Sequence, residues 1–128
     1  MPGTATDPRP RFNKAHPVVL LTAAATPVTV FTRSTTGIAR TYRVKKLLVF
    51  NGGTSFAEVD FGTGLAGAFA ASFPRMRVEA GMSESYSEAQ LPDLEMEANL
   101  TASAITAAGI GAGNAAVRVQ AEVEEIGG

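Results

Sequence analysis

Short runs in which apolar and polar residues alternate recur along most of the chain. Residues 94–104 read LEMEANLTASA, with an apolar residue at every second position, and residues 117–124, VRVQAEVE, repeat the pattern. Because successive side chains of a strand point to opposite faces of a sheet, this alternation predicts two strands, each with one buried and one solvent-facing side. The small-residue spacer AAGIGAGN at 107–114 is predicted to be a hairpin connection. A dinucleotide-binding loop would need a helix after it, whereas a strand follows here.

Further strand signals come at short intervals, bounded by proline, glycine or asparagine. They are HPVVLLT at 16–22, PVTVFT at 27–32, TYRVKKLLVF at 41–50, SFAEVDF at 55–61, RMRVEA at 75–80 and, less regularly, SESYSEAQL at 83–91. About eight short strands without a sustained helical pattern predict an all-β fold, an antiparallel β-sandwich that is jelly-roll-like, or else a small barrel. An immunoglobulin-like sandwich is the alternative, but the chain has no tryptophan and no cysteine pair to support it.

Three local patterns give more specific expectations. The apolar block at 47–50 is predicted to lie where both faces of its sheet are covered. The tripeptide NGG at 51–53, between two apolar runs, predicts a β-hairpin. In GLAGAFAASFP at 64–74, large apolar residues recur every four positions, which predicts an apolar loop closing one end of the core or, alternatively, a short helix or strap.

The first 16 residues differ from the rest of the chain. They contain three prolines and one bulky apolar residue, Phe12, and a chain rich in proline favours an extended arm over a core element. The sequence therefore predicts an arm at 1–16 and one domain at 17–128. The arm is either disordered or ties the domain to a neighbour, with Phe12 as its anchor and charged contacts from Arg9, Arg11 and Lys14.

The charges are divided between the two parts of the chain. Residues 1–50 carry eight Lys or Arg and one acid, Asp7, for a net charge of +7, while residues 51–128 carry three Lys or Arg and eleven acids, for a net charge of −8. Such asymmetry indicates a partner or neighbouring copy of opposite charge, unless antiparallel strands mix the two halves in space. Nucleic acid is not predicted as a partner, because the basic residues are sparse and lack interleaved aromatic side chains.

Acidic residues lie on the solvent-facing sides of the two alternating runs first described. If those runs pair, four carboxylates share one surface, which either faces a basic partner, binds calcium or is simply solvated. Like charges opposite each other destabilise a sheet, which favours the basic partner over calcium, with Arg43 and Lys45 of another copy as candidates. The four acids are Glu95, Glu97, Glu122 and Glu124.

Residues that carry enzyme chemistry are scarce. The chain has no cysteine and one histidine, His16, before a proline, so neither a catalytic triad nor a zinc site is predicted, and no cofactor is implied. Two tyrosines and no tryptophan make a carbohydrate-binding module a minor alternative. The sequence shows no signal peptide and no apolar run of membrane-spanning length, so a soluble, non-secreted protein without a membrane partner is expected.

The arm MPGTATDPRPRFNKAH, the strand TYRVKKLLVFNGG, and the ending ANLTASAI, small-residue spacer, AAVRVQAEVEEI together resemble the capsid decoration (cement) proteins and related virion structural proteins of tailed bacteriophages. The resemblance covers most of the chain as architecture, without a specific motif.

This resemblance implies a non-enzymatic protein, made in the host cytoplasm and located on the capsid surface of the virion, that binds the major capsid protein or other virion proteins, often as a trimer. The tether would be Arg9, Arg11, Phe12 and Lys14, with Glu122, Glu124 and Glu125 as secondary contacts. A head-tail connector, a tail component and a self-assembling shell protein are the alternatives.

Overall fold

The computed structural model describes residues 11–15, 18–21, 26–33, 39–54, 56–65, 67–104 and 117–127. Within them the chain is built of β-strands and one short 3-10 helix, Glu88–Gln90. The strands are β1 Arg11–Ala15, β2 Val19–Leu21, β3 Val28–Phe31, β4 Ala39–Asn51, β5 Ala57–Thr63, β6 Ala70–Ala71, β7 Met76–Val78, β8 Ser83–Ser87, β9 Leu100–Ala104 and β10 Val117–Gly127.

The strands form two antiparallel sheets. Sheet A has the order β1-β10-β4-β8, and β2 continues the row of β1 along the same edge of β10. Sheet B has the order β3-β9-β5-β6, and β7 extends the row of β6 along β5. Ten strands thus fill eight positions, and the chain crosses between the sheets at most connections. The predicted all-β, antiparallel sandwich is confirmed.

Two strands are longer than the sequence pattern indicates. Strand β4 has 13 residues and β10 has 11, and they pair along nearly their whole length, from Asn51 opposite Val117 to Ala39 opposite Gly127. A bulge near Lys45 shifts the register between Glu122 and Val123. The buried positions of β4 are therefore even-numbered before the bulge and odd-numbered after it. This long pair forms the centre of sheet A.

The core lies between the sheets and is filled by aliphatic and aromatic side chains. Tyr42 of sheet A packs edge-on against Phe31 of sheet B, with 4.5 Å between ring centroids, and is 1% exposed. Its hydroxyl donates a hydrogen bond to the carbonyl of Ala98 at 2.6 Å. Burial raises the pKa of this phenol, an effect that the charge of Arg33 partly opposes. Tyr42 therefore joins both layers as a neutral group.

Both connections predicted to be hairpins join different sheets. Strand β4 lies in sheet A and β5 in sheet B, so NGG at 51–53 is a crossing. Asn51 is 1% exposed; its Nδ2 donates to the carbonyl of Val78 and its Oδ1 accepts from the Gly53 amide, and these bonds anchor the crossing. The spacer at 107–114 lies outside the described residues, but the strands on either side of it, β9 and β10, also belong to different sheets.

The central strands of sheet B are buried on both faces, which the alternating pattern did not predict. All five residues of β9 are buried, including Thr101 at 1% and Ser103 at 4% exposure, and Asp60 of β5 is 7% exposed. Thr101 donates from its hydroxyl to the carbonyl of Gly64 at 2.8 Å. Small hydroxyl side chains can be buried in this way once they find a hydrogen-bond partner.

The segment at 64–74 is not helical in the residues that the structure describes. Gly64 and Gly67 take positive φ angles of 89° and 81°, which break any helical run, and the chain then forms β6. Phe73 is buried, Phe69 half-buried and Leu65 51% exposed. One of the three large apolar residues thus enters the core, and the helix alternative is wrong.

Candidate assembly surface

The side of sheet A that faces away from sheet B is called the outer face. On β4 and β10 it carries the residues that alternate with the buried ones, and the register places these residues opposite one another in cross-strand pairs. The pairs, from one end of the sheet to the other, are Phe50 with Arg118, Leu48 with Gln120, Lys46 with Glu122 and Arg43 with Glu124. The outer face is therefore apolar at one end and charged at the other.

At the charged end, residues from the basic and acidic parts of the chain meet. Glu122 and Glu124 lie opposite Lys46 and Arg43 of β4, and opposite charges in such positions stabilise a sheet. At this end of the sheet, the antiparallel strands therefore bring basic residues of the first 50 positions next to acidic residues of the later part of the same chain.

Two of the predicted partner-binding residues have acidic partners within the chain. Arg43 contacts Asp93 through Nη1 at 3.1 Å and Glu95 through Nη2 at 3.9 Å, and Lys45 pairs with Glu88. The side chains of Arg43 and Lys45 are 32% and 30% exposed, and ion pairs this accessible to solvent add little stability. Contact of these two residues with another molecule remains a prediction.

The two runs that carry the four predicted acids do not pair with each other. The strand expected at 94–104 begins only at Leu100, and Glu95 lies in an irregular segment where its Oε2 accepts a hydrogen bond from the Thr41 hydroxyl at 2.8 Å. This segment touches β4 at Met96, opposite Tyr42, on the edge away from β10. Strand β4 therefore lies between the segment that carries Glu95 and the strand that carries Glu122 and Glu124, so the pairing on which the calcium alternative rests is wrong. Among the described residues, no three His, Cys, Asp or Glu side chains could hold a metal ion.

The predicted tether lies partly in a strand. Arg11, Phe12 and Lys14 belong to β1, opposite Ile126, Glu125 and Val123 of β10, whereas Arg9 and His16 lie outside the described residues. The backbone thus brings the predicted arm residues and the predicted acidic residues into neighbouring strands. Strand β1 ends the sheet order, and an edge strand is a position where another chain can add a strand.

The apolar end of the outer face contains a groove that the sequence analysis missed, here called the β10 groove. Its volume is about 430 Å³, and three large apolar side chains on it are exposed, Val18 at 45%, Phe50 at 39% and Met82 at 58%. The remaining lining residues are Asn51, Gly52, Gly81, Ser83 and Arg118.

The expectation that residues 47–50 are covered on both faces is wrong, because Leu48 is only half-buried and Phe50 is exposed, while Leu47 and Val49 enter the core. A strand that is apolar on both faces fits either a fully covered strand or one with an apolar outer surface. The sequence pattern could have indicated the second alternative.

The most buried carboxylate among the described residues, Asp60, belongs to the interior of the sandwich rather than to the outer face. Asp60 accepts from Arg75 through both oxygens, with distances of 3.0 Å to Nε and 3.1 Å to Nη2. The hydrogen bond and the charge of Asp60 raise the pKa of Arg75. The Tyr86 hydroxyl donates to the carbonyl of Arg75 at 3.0 Å, which connects β8 of sheet A to the segment before β7.

No protein-family model and no curated protein sequence matches this chain. Solved structures share its fold. The protein of Bacillus endospore appendages, described as a family of disulfide-linked pili, has a TM-score of 0.51 and 16% identity over 99% of this chain and 96% of its own. Tobacco streak virus coat protein has a TM-score of 0.52 and 10% identity over 98% of this chain and 91% of its own.

A third structure, the virus-like particle of the giant freshwater prawn (Macrobrachium rosenbergii) extra small virus, gives a TM-score of 0.48 at 10% identity, over 98% of this chain and 83% of that one. At identities this low, the two structures with scores above 0.5 show that the chain shares their fold. Within its described residues the chain has no helix long and apolar enough to cross a bilayer.

Proposed function

We propose that this chain is a non-enzymatic structural subunit of a repeating protein assembly of the virion type. The observation that carries the proposal is the fold shared over nearly the whole chain with a pilus protein and a viral coat protein. Pili and viral coats are built from repeated subunits. An outer face that combines exposed apolar side chains with charged ones supports the same function, since such surfaces mark contact sites.

The more specific proposal is a capsid decoration protein on the surface of a phage virion, synthesised in the host cytoplasm, that binds the major capsid protein as a homotrimer. Arg9, Arg11, Phe12 and Lys14 tether it to a neighbour, and the edge position of β1 allows strand addition there. Glu122, Glu124 and Glu125 make secondary contacts. Many copies on one shell give avidity, so each individual contact can be weak.

A self-assembling shell or tube protein is the second candidate. The observation that favours it is that the pilus and coat proteins with this fold are themselves the subunits of their assemblies. The pilus is described as disulfide-linked, and this chain has no cysteine, so its own assembly would have to form without disulfide bonds.

Mass measured by light scattering after size exclusion, followed by electron microscopy of the same fractions, separates the candidates. A trimer or another small closed oligomer is expected for a decoration protein, whereas particles or tubes of high mass would replace it with the self-assembling candidate. A raised melting temperature with a panel of oligosaccharides would instead indicate the carbohydrate-binding alternative. A monomer would contradict the self-assembling candidate, and a monomer that binds neither a capsid shell nor a sugar would contradict all three assignments.

A further inference from the structure

The β10 groove has walls of defined chemistry. Val18, Phe50 and Met82 provide exposed apolar surface, and Arg118, whose register partner on β4 is Phe50, provides a cation beside the aromatic ring. Such a groove fits an extended peptide with proline or small apolar residues and one carboxylate, because aromatic-lined grooves bind proline-rich chains and a guanidinium binds carboxylates.

Residues 1–10, MPGTATDPRP, contain these residue types together with one basic residue, Arg9. They contain Pro2, Pro8 and Pro10, and Asp7 is the single acid among the first 50 residues of the chain. Elsewhere in those 50 residues the charged side chains are Lys or Arg, which Arg118 would repel. Asp7 and Pro8 are adjacent in the segment, and Arg118 and Phe50 are adjacent in the groove, so the carboxylate can face the guanidinium while the proline packs on the aromatic ring.

The start of β1, which follows residues 1–10, and the β10 groove lie at opposite ends of sheet A. Strand β1 begins at Arg11 opposite Ile126, while the groove is at Arg118, eight residues away along β10, or roughly 27 Å at the rise of an extended strand. Strand β1 runs towards the groove, so an extended continuation before Arg11 points away from it. Ten extended residues span at most about 36 Å. A second copy placed end to end with the first would thus present its groove to residues 1–10.

We infer that the β10 groove binds residues 1–10 of a second copy of this chain, with Asp7 facing Arg118 and the neighbouring prolines packed on Phe50. The contact joins two different surfaces, so repeating it generates a closed ring, such as the trimer, or an open filament. This inference rests on the proposed function and deepens it, since it names another copy as the neighbour that the arm reaches.

A complementation experiment tests the inference. Deleting residues 1–10 keeps β1 but removes the segment that binds the β10 groove. Phe50→Asp keeps that segment but replaces the apolar wall of the groove with a carboxylate. We expect the wild-type protein to be oligomeric and each variant monomeric in light scattering, while an equimolar mixture forms a heterodimer through the one intact arm and the one intact groove. Leu94→Asp is the matched control, because Leu94 is also 39% exposed but does not line the groove, and this variant keeps the wild-type mass.

A charge exchange tests the pairing itself. Arg118→Asp and Asp7→Arg should each weaken the association about tenfold or more, because each places like charges together, and the double variant should recover most of it. Single variants with unchanged mass, a mixture that stays monomeric, or no recovery in the double variant would overturn the inference. An oligomer that is indifferent to all these changes would leave the proposed function intact, whereas a wild-type protein that is monomeric and binds no shell would count against both.

Discussion

Ser85 on β8 and Ser103 on β9 are both serines within strands, but Ser85 is exposed to solvent whereas Ser103 is buried, with 4% of its surface exposed. The difference extends to their sheets. The outer side of the central strands of sheet B is buried, and its polar groups Asp60 and Thr101 find partners within the chain. The outer face of sheet A remains open, with charged pairs at one end and an apolar groove at the other. We therefore expect stability to depend on both faces of sheet B but on only one face of sheet A, so that the outer face of sheet A is left accessible for binding.

The largest effect is expected when the same change is made in both sheets. Ser103→Lys places a long cation in a buried site without a partner, so we expect a loss of about 3 kcal/mol or more in the free energy of unfolding, or failure to fold. Ser85→Lys should change it by about 0.5 kcal/mol or less, as for other exposed positions. Urea denaturation followed by circular dichroism measures both. Equal losses in the two variants would remove the distinction between the sheets.

A close backbone approach gives the next largest effect. A Cβ atom on Gly62 of β5 would lie 1.9 Å from the carbonyl oxygen of Ala70, so β6 must move to admit any side chain. Gly62→Ala should cost about 2–3 kcal/mol, in the upper range for overpacked sites. Gly81→Ala is the control, because nothing lies within 4 Å of its Cβ and its cost comes from its φ angle of 75° alone, about 1–2 kcal/mol. If urea denaturation shows a larger loss of stability for Gly81→Ala than for Gly62→Ala, then β6 can move away from β5 at little cost.

The buried carboxylate of sheet B is expected to contribute more than an exposed one. Asp60→Ala removes both hydrogen bonds to Arg75 and should lower the free energy of unfolding by about 1–3 kcal/mol. Glu79 pairs with Arg77, but these side chains are 64% and 54% exposed, so Glu79→Ala should cause no measurable loss. Thermal unfolding of both variants at neutral pH makes the comparison, and a loss of equal size from Glu79→Ala would contradict it.

The smallest effect concerns Tyr42, where the layers meet. Tyr42→Phe should cost about 1 kcal/mol at neutral pH, because the hydrogen bond to Ala98 is lost. Burial in the folded state raises the pKa of the Tyr42 phenol. The folded protein therefore retains a proton that the unfolded chain releases near pH 10. The stability from this difference is fully present below about pH 10 and is lost as the pH rises towards the folded pKa.

Urea denaturation between neutral and strongly alkaline pH should therefore show the wild type losing stability faster than Tyr42→Phe. Parallel pH profiles for the two proteins would mean that burial does not raise the pKa of Tyr42.

Sequence patterning predicted the sandwich because alternation is a local property, and local runs such as VRVQAEVE on β10 and RMRVEA around β7 formed strands with the expected buried residues. It did not predict which strands pair. The turn signal of NGG is the same whether the chain returns within one sheet or crosses to the other, and the crossing depends on Asn51 bonding to Val78, 27 residues away. For the same reason, Thr101 and Ser103 were expected in solvent: their burial depends on segments distant in sequence.

Part of the candidate surface was accessible from the sequence. The predicted residues Arg43, Lys45, Glu122 and Glu124 do lie on β4 and β10, neighbouring strands of one sheet. The β10 groove was not predicted, because Val18, Phe50 and Met82 come from three separate parts of the chain and meet only after the sheets form. The apolar pattern of residues 47–50 allows an apolar outer surface as well as a covered strand, but it does not decide between them.

The position of β10 has a consequence for how the protein is made. This strand pairs with β1, β2 and β4, yet it follows all the other described strands in sequence. During synthesis on the ribosome, the edges of β1, β2 and β4 that face β10 lack their partner until residues 117–127 have emerged from the exit tunnel. Strands with free edges bind other chains, and pairings between distant parts of a sequence form slowly. The nascent chain is therefore most exposed to aggregation just before β10 is inserted, and this exposure ends once β10 has paired with its three neighbours.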